Sequence, residues 1–175
     1  MSHAASLPLP LLLLLLSLRG SLTFPDGAPE YACGDMLPGH PGAQQFNASD
    51  SPYRLTQDKA QFTPNDSVTV TLYAKNSHFK GFLVKALDEN DTEVGHFSRG
   101  ALYQPLQSCS AATHVNKKKK TNVKLLWVAP ANASGRVHFK ATVVYKYSRF
   151  YTDLMSTVRS RRQHSRRLSV AFNKL

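Results

Sequence analysis

The sequence has 175 residues, of which 42% are hydrophobic and 10% aromatic, enough for one domain with a single core. Its formal net charge is +11. After the first 23 residues no segment approaches the roughly 20 apolar residues of a membrane-spanning helix, so we expect no transmembrane segment.

The chain begins with an apolar stretch over residues 7–18, broken only by Pro8, Pro10 and Ser17. A stretch of this length followed by small residues is typical of a cleaved secretory signal peptide. We therefore predict a signal peptide over residues 1–23, a mature chain that starts at Phe24, and secretion to the extracellular space.

Secretion changes the meaning of the two cysteines, Cys33 and Cys109. In an oxidising compartment two thiols of one small domain are expected to pair, and only one pairing exists. The chain-entropy model attributes about 4.5 kcal/mol to closing a loop of this length. Secretion also makes Asn-x-Ser/Thr motifs potential glycan acceptors, and four fit the pattern: Asn47, Asn65, Asn90 and Asn132.

The first part of the mature chain, residues 24–53, is rich in proline and glycine and predicts an irregular lead-in held by Cys33. A turn at residues 63–66 precedes a strand over residues 67–73, where apolar and hydroxyl side chains alternate. The next strand, over residues 79–86, carries Phe82, Val84 and Ala86 on one face. Gly81 within it indicates a bulge or a close backbone approach.

A polar turn at residues 88–91 and a short strand at residues 94–97 predict a hairpin with the preceding strand. Residues 111–122 read as a polar loop, and two further strands are expected over residues 123–128 and 137–145. Short alternating strands without a helical period predict an all-β fold, an immunoglobulin-like antiparallel β-sandwich with one disulfide and a basic C-terminal tail. The predicted domain covers residues 24–150, and residues 151–175 form the tail.

The chain resembles the reeler domain family, the module that begins reelin and F-spondin and that also occurs in ferric-chelate reductases and insect defence proteins. The resemblance is carried by Cys33, residues 36–40, 51–53 and 79–82, Pro64 before Val68 and Val70, residues 94–97, Cys109, residues 113–114, Trp127 with residues 129–130, and residues 142–144. It implies an immunoglobulin-like sandwich with a structural disulfide. Where the family commonly has Pro-Gly-Asp, this chain has Asn65 in the middle position. The resemblance covers only the reeler module and not the haem-carrying membrane bundle of the reductases, so we expect that their redox activity does not carry over.

No motif for an enzyme is present: the sequence lacks a Gly-x-Ser-x-Gly elbow, a His-Glu-x-x-His pair and a phosphate-binding glycine loop. We predict a non-catalytic protein with no cofactor and no metal site, since its histidines are scattered rather than spaced as ligands.

Two basic segments are candidate polyanion sites. The first is the run Lys117, Lys118, Lys119 and Lys120, whose ammonium groups add their potentials at an anionic sugar, although a solvated turn would look the same. The second is the tail, with Arg159, Arg161, Arg162, Arg166 and Arg167. Arginines suit bidentate contact with sulfate or phosphate, and the alternative is a disordered, solubilising end. The tail also resembles a convertase site that would be cut after Arg162.

Three functions remain open from the sequence. The first is an extracellular binding, adhesion or innate-defence module for anionic glycans or microbial surfaces, since nucleic acid is not expected as a partner outside the cell. The second is a truncated relative of a ferric-chelate reductase that keeps only the reeler module, which carries no haem. The third is a precursor whose released tail is active.

Overall fold

The computed structural model describes residues 24–159, and the predicted signal peptide and most of the basic tail lie outside this range. Three short 3-10 helices, Glu30–Cys33, Ala48–Asp50 and Gln107–Cys109, interrupt an otherwise all-β chain. The strands are β1 (Gln44–Phe46), β2 (Tyr53–Gln57), β3 (Gln61–Phe62), β4 (Ser67–Ala74), β5 (Gly81–Leu87), β6 (His96–Phe97), β7 (Tyr103–Leu106), β8 (Ala111–His114), β9 (Asn122–Val128), β10 (Gly135–Arg136), β11 (His138–Lys146), β12 (Arg149–Met155) and β13 (Thr157–Val158).

Two sheets face each other and form the predicted sandwich. The six-stranded sheet has the order β1-β12-β11-β5-β8-β7, and the five-stranded sheet has the order β13-β2-β4-β9-β6. β10 and β3 form a separate two-stranded pair. Neighbouring strands are antiparallel, as predicted, except for β1 with β12 and β13 with β2, which pair in parallel at the sheet edges.

The core lies between the two sheets, where each strand places alternate side chains. The only tryptophan, Trp127 of β9, is fully buried and meets Phe62 and Phe139 with ring centroids 5.2 and 6.0 Å apart. Its indole nitrogen donates a hydrogen bond of 2.9 Å to the carbonyl oxygen of Val94. Phe79 and Phe82, which flank Lys80 and Gly81, are also buried in this core, so their role is structural.

The β5 strand is buried on both faces, because its outer face is covered by the lead-in segment. Gly81 at its start allows a close approach, as predicted: a Cβ there would lie 3.0 Å from Cε1 of His114. The disulfide joins Cys33 to Cys109, with their Cα atoms 6.0 Å apart. It belongs to a small cluster on the outer face of the six-stranded sheet rather than to the core around Trp127.

The predicted hairpin between β5 and residues 94–97 forms only next to its turn, where Leu87 bridges Glu93 and the Val94 nitrogen donates to the Ala86 carbonyl oxygen over 3.3 Å; its second strand does not continue along β5. β6 pairs with β9 in the five-stranded sheet, so the chain crosses from one sheet to the other between β5 and β6. Gly95 lies at this crossing with φ of 63°, and a Cβ there would come within 2.4 Å of the Trp127 ring. Glycine permits both the left-handed backbone and the contact with the indole.

The predicted domain boundary at residue 150 is also wrong, since it falls inside β12. Phe150, Tyr151 and Leu154 are buried, and β12 pairs with β11 across a two-residue turn. The ladder is irregular between residues 141 and 143 of β11, opposite Asp153, which has φ of 58°. This irregularity breaks the period-two pattern, so the sequence of β12 does not read as a strand.

Candidate functional site

A cavity of about 330 Å³ lies between the first part of the lead-in, residues 24–40, and the outer face of the six-stranded sheet. Below, this first part is called the lead-in. The lead-in contributes apolar side chains, including Phe24, Met36 and Leu37. The sheet contributes Leu83 from β5 and Val144 from β11. The cavity therefore lies outside the sandwich core, between the sheet and the segment that covers it.

The disulfide fixes the lead-in over this cavity. Cys33 and Cys109 pack with Met36, Leu83 and Ala111 in a small buried cluster that also contains Ala32 and Leu106. The bond closes a loop between residues 76 positions apart. The disulfide therefore links the lead-in covalently to the segment between β7 and β8, next to the apolar contacts of this cluster.

Hydrogen bonds to β8 and β7 add to this anchor. The backbone nitrogen of Ala28 donates to Thr113 Oγ1 over 2.8 Å, and Gln104 Nε2 donates to the carbonyl oxygen of Asp26 over 2.6 Å. Gly27 between them has φ of 131°, and a Cβ there would lie 2.8 Å from the His114 carbonyl oxygen. This glycine lets the lead-in approach β8 closely.

The buried ammonium of Lys85 supports the same segment from the sheet. It donates to the carbonyl oxygen of Cys33 and forms an ion pair of 2.8 Å with Glu93. Lys85 lies with Leu83 on the outer face of β5, opposite the face that carries Phe82, Val84 and Ala86. This lysine is therefore a structural link rather than part of an anion site.

Three other lysines, Lys80, Lys117 and Lys146, line the cavity. No carboxylate is among the lining residues in the described part of the chain, although Asp26 is adjacent in sequence to two of them. The ion pairs found within residues 24–159 involve other lysines and a histidine. The cavity thus combines apolar walls with unpaired positive charge.

The predicted lysine run does not act as one unit. Lys117, Lys118 and Lys119 are exposed, whereas Lys120 is only 5% exposed. The Lys120 ammonium donates to the carbonyl oxygens of Lys80, Asn116 and Lys118 over 2.9, 2.6 and 2.8 Å. Burial lowers the pKa of this ammonium. Lys120 consequently shapes the loop, and its donors are not free for a ligand.

Of the tail arginines, only Arg159 lies within the described residues. It is exposed, its backbone nitrogen donates to the carbonyl oxygen of Gln57, and its Nε donates to Thr56 Oγ1 over 3.2 Å. The predicted anion site at Arg161, Arg162, Arg166 and Arg167 and the predicted convertase site fall outside the described residues.

Two histidines, His40 and His114, line the cavity. The His40 ring stacks on Tyr147 with centroids 4.3 Å apart, and its Nδ1 is buried with no hydrogen-bond partner in residues 24–159. Burial lowers the pKa of His40, and the nearby backbone of Tyr147 opposes this shift. Burial likewise lowers the pKa of His114, opposed by its hydrogen bond to the Phe82 backbone. Both imidazoles are therefore neutral near pH 7.

The described part of the chain contains no group of three or more histidine, cysteine or carboxylate side chains placed to hold a metal ion. It also contains no helix with the length and hydropathy needed to cross a membrane. The four predicted glycan acceptors, Asn47, Asn65, Asn90 and Asn132, are all exposed. Their modification stays a prediction.

The sequence did not reveal the cavity or the participation of Lys80 and Lys146. One signal was available: on β11, Val144 lies between Thr142 and Lys146 on the face opposite the core side chains. An apolar residue on an outward face indicates a cover, but the pattern does not say which distant segment provides it.

Comparison with known proteins identifies the fold independently. The model of the Reeler domain matches residues 31–167. The human F-spondin reeler domain superposes with a TM-score of 0.55 at 26% identity, covering 67% of this chain and 94% of that one. A Bombyx mori protein named "Putative defense protein" is 33% identical over 155 residues, covering 82% of this chain and 89% of its own length.

Ferric-chelate reductases match over a smaller part of their length. Ferric-chelate reductase 1 of Bos taurus is 31% identical over 155 residues, which cover 83% of this chain but 25% of the reductase. The chain spans between 23% and 27% of the reductases that it matches. The family match extends beyond residue 150, in agreement with the strands β12 and β13. The chain belongs to the reeler domain family.

Proposed function

We propose that this chain is a secreted, non-catalytic reeler module that binds anionic glycans or microbial surfaces. The carrying observation is the lysine cluster, defined as Lys80, Lys117, Lys118, Lys119 and Lys146, in which three members line one cavity and none forms an ion pair within residues 24–159. The Bombyx mori relative, by its name, supports a role in defence.

The physical basis is the summed field of neighbouring ammonium groups. Lys117, Lys118 and Lys119 are exposed on a loop whose backbone is fixed by Lys120, so their charges are held close together before any ligand arrives. A polyanion that meets several fixed positive charges releases its counterions, and binding of this kind weakens as salt is added. The loop therefore predicts salt-sensitive binding to sulfated or phosphorylated sugars.

The test is chromatography on immobilised heparin, together with binding to lipopolysaccharide. We expect the triple variant Lys117→Gln, Lys118→Gln, Lys119→Gln to elute at clearly lower salt than the unmodified protein. The matched control is Arg99→Gln, Lys124→Gln, Arg136→Gln. It removes three exposed positive charges that lie on or beside the five-stranded sheet and the β3-β10 pair.

Both triple variants lose three positive charges. The comparison therefore distinguishes binding at a specific site from attraction by the net charge of the whole protein. Elution of the control variant near the unmodified protein supports a site at the loop. Equal shifts in the two variants, or elution that does not depend on salt, would contradict it. Removal of the tail beyond Arg159 tests the tail arginines in the same assay.

The second candidate is a reeler module derived from a ferric-chelate reductase. It is favoured by matches to reductases that cover 75% to 89% of this chain but about a quarter of theirs. On this proposal the chain keeps the scaffold and not the haem. A visible haem absorption band in the purified secreted protein would contradict a haem-free module.

Secretion, glycosylation and processing of the tail belong to the same proposal. Mass spectrometry of material secreted by cells tests all three, since it reports the first residue, the occupied asparagines and the last residue. We expect a chain that begins at Phe24. An intact Leu175 in all secreted molecules would exclude cleavage after Arg162.

A further inference from the structure

The cavity beneath the lead-in is lined both by apolar residues and by lysines. Its walls are formed by residues such as Met36, Leu83 and Val144, and Lys80, Lys117 and Lys146 are also among its lining residues. A purely sugar-binding site would instead present several hydroxyl, amide or carboxylate partners around the ligand. The lining therefore favours a ligand that has an apolar part and a negative charge.

The size of the cavity limits the apolar part. Its volume of about 330 Å³ is at the small end of the roughly 300–1,000 Å³ that is usual for ligand pockets. A cavity at this end of the range suits one medium-length hydrocarbon chain better than the two chains of a phospholipid.

We propose that the cavity binds the hydrocarbon chain of a single-chain anionic amphiphile, whose carboxylate or phosphate group is held by Lys80, Lys117 and Lys146. The inference rests on the proposed function, because the same lysine cluster meets the anion. It goes further in assigning an apolar subsite next to that cluster.

The first experiment is isothermal titration of the purified secreted protein with dodecanoate and with dodecyl phosphate, below their micelle concentrations. These two probes distinguish a carboxylate from a phosphate head group. Butyrate supplies an anion without a long chain, and dodecyl maltoside supplies the chain without a charge. We expect at least one of the two long anions to bind about tenfold or more tightly than butyrate and dodecyl maltoside.

The contributions of charge and cavity are separated by two variants. Lys80→Gln with Lys146→Gln should weaken binding of the long anion about fivefold, as expected for the loss of two charge contacts from exposed lysines. Val144→Phe should weaken binding of the long anion about tenfold, because the larger side chain takes the space of about two methylene groups while every lysine stays in place. Leu126→Phe is its control, since Leu126 is an exposed apolar residue on the opposite sheet.

The Val144→Phe variant also distinguishes this inference from the proposed function. We expect it to keep its elution from heparin, which depends on the exposed lysines, while it binds dodecanoate about tenfold more weakly. If heparin binding fails in the unmodified protein but dodecanoate binds at the cavity, only the glycan proposal falls. If neither long anion binds more tightly than the controls, the amphiphile inference is overturned, whatever else occupies the cavity.

A measurement on the unmodified protein guards against a variant that does not fold. In an NMR experiment, the methylene protons of bound dodecanoate should show nuclear Overhauser contacts with methyl groups of Leu83, Met36 and Val144. Contacts confined to exposed side chains such as Leu126 would contradict binding in the cavity.

Discussion

Lys120 offers the sharpest test of how the lysine loop is built. Replacing it by methionine keeps most of its length but removes an ammonium that donates to three carbonyl oxygens, those of Lys80, Asn116 and Lys118. The control is Lys119→Met, which changes the neighbouring residue in the same way at an exposed position. Both variants lose one positive charge, so only the buried contacts differ.

The expected magnitude follows from those contacts. Three charge-assisted hydrogen bonds at about 1.5 kcal/mol each sum to about 4.5 kcal/mol. Two terms reduce this value: the carbonyl groups of a surface loop can bind water after the change, and the variant no longer buries an ammonium. We therefore expect Lys120→Met to lower the free energy of unfolding by about 2–3 kcal/mol, and Lys119→Met to change it by less than about 0.5 kcal/mol.

The assay is urea unfolding followed by the fluorescence of Trp127, the only tryptophan in the chain and a fully buried residue. With a slope of about 1–3 kcal/mol per molar urea, the predicted loss moves the midpoint by about 0.7–3 M. Equal midpoints for Lys120→Met and Lys119→Met would refute the assignment of Lys120 as the residue that organises the loop.

Two further predictions concern glycine and histidine. Gly95→Ala should cost about 2–4 kcal/mol, because a Cβ would strike the Trp127 ring at 2.4 Å in addition to the left-handed strain at φ of 63°. Gly42→Ala, with φ of 72° and no atom within 4 Å, should cost about 1 kcal/mol; equal losses in urea unfolding would contradict the contact. For His114, burial holds the folded-state pKa below the ordinary histidine value of 6.5. The unfolded chain therefore takes up the proton first, and the urea midpoint should fall as the pH drops below about 6.5. His114→Gln should reduce this fall, and an unchanged pH dependence would count against burial of the neutral imidazole.

The sequence predicted the central strands because their side chains alternate strictly. In β4 and β11 apolar residues recur at every second position, and the structure places them in the core. The turn before β4 was also readable, since Asn65 follows a proline and has φ of 60°. In these cases local chemistry and the global fold agree.

The failures arise where a contact between distant residues overrides the local pattern. The approach of Gly95 to Trp127 sends β6 to the other sheet, although its sequence is compatible with a hairpin. The irregular pairing opposite Asp153 interrupts the alternation of side chains in β12. The sequence there therefore predicts the start of a basic tail and not a strand.

The site was predicted less completely than the fold. Four consecutive lysines look alike in the sequence, and only the carbonyl oxygens around Lys120 distinguish it from Lys117. The cysteine pairing followed from the compartment and is confirmed by the Cys33–Cys109 bond. That this bond lies outside the core, and fixes a cover over a cavity, depends on packing between segments that are far apart in the chain.

This placement of the disulfide divides the molecule into two parts of unequal cooperativity. The core around Trp127 and the small cluster around Cys33 are separate, so the lead-in can open without unfolding the sandwich. Amide protons that the lead-in shields on the outer face, such as those near Leu83, should then exchange through local opening once the disulfide is reduced, while those of β4 and β9 should still require global unfolding. A reducing environment would in that way act on access to the cavity and leave the scaffold folded.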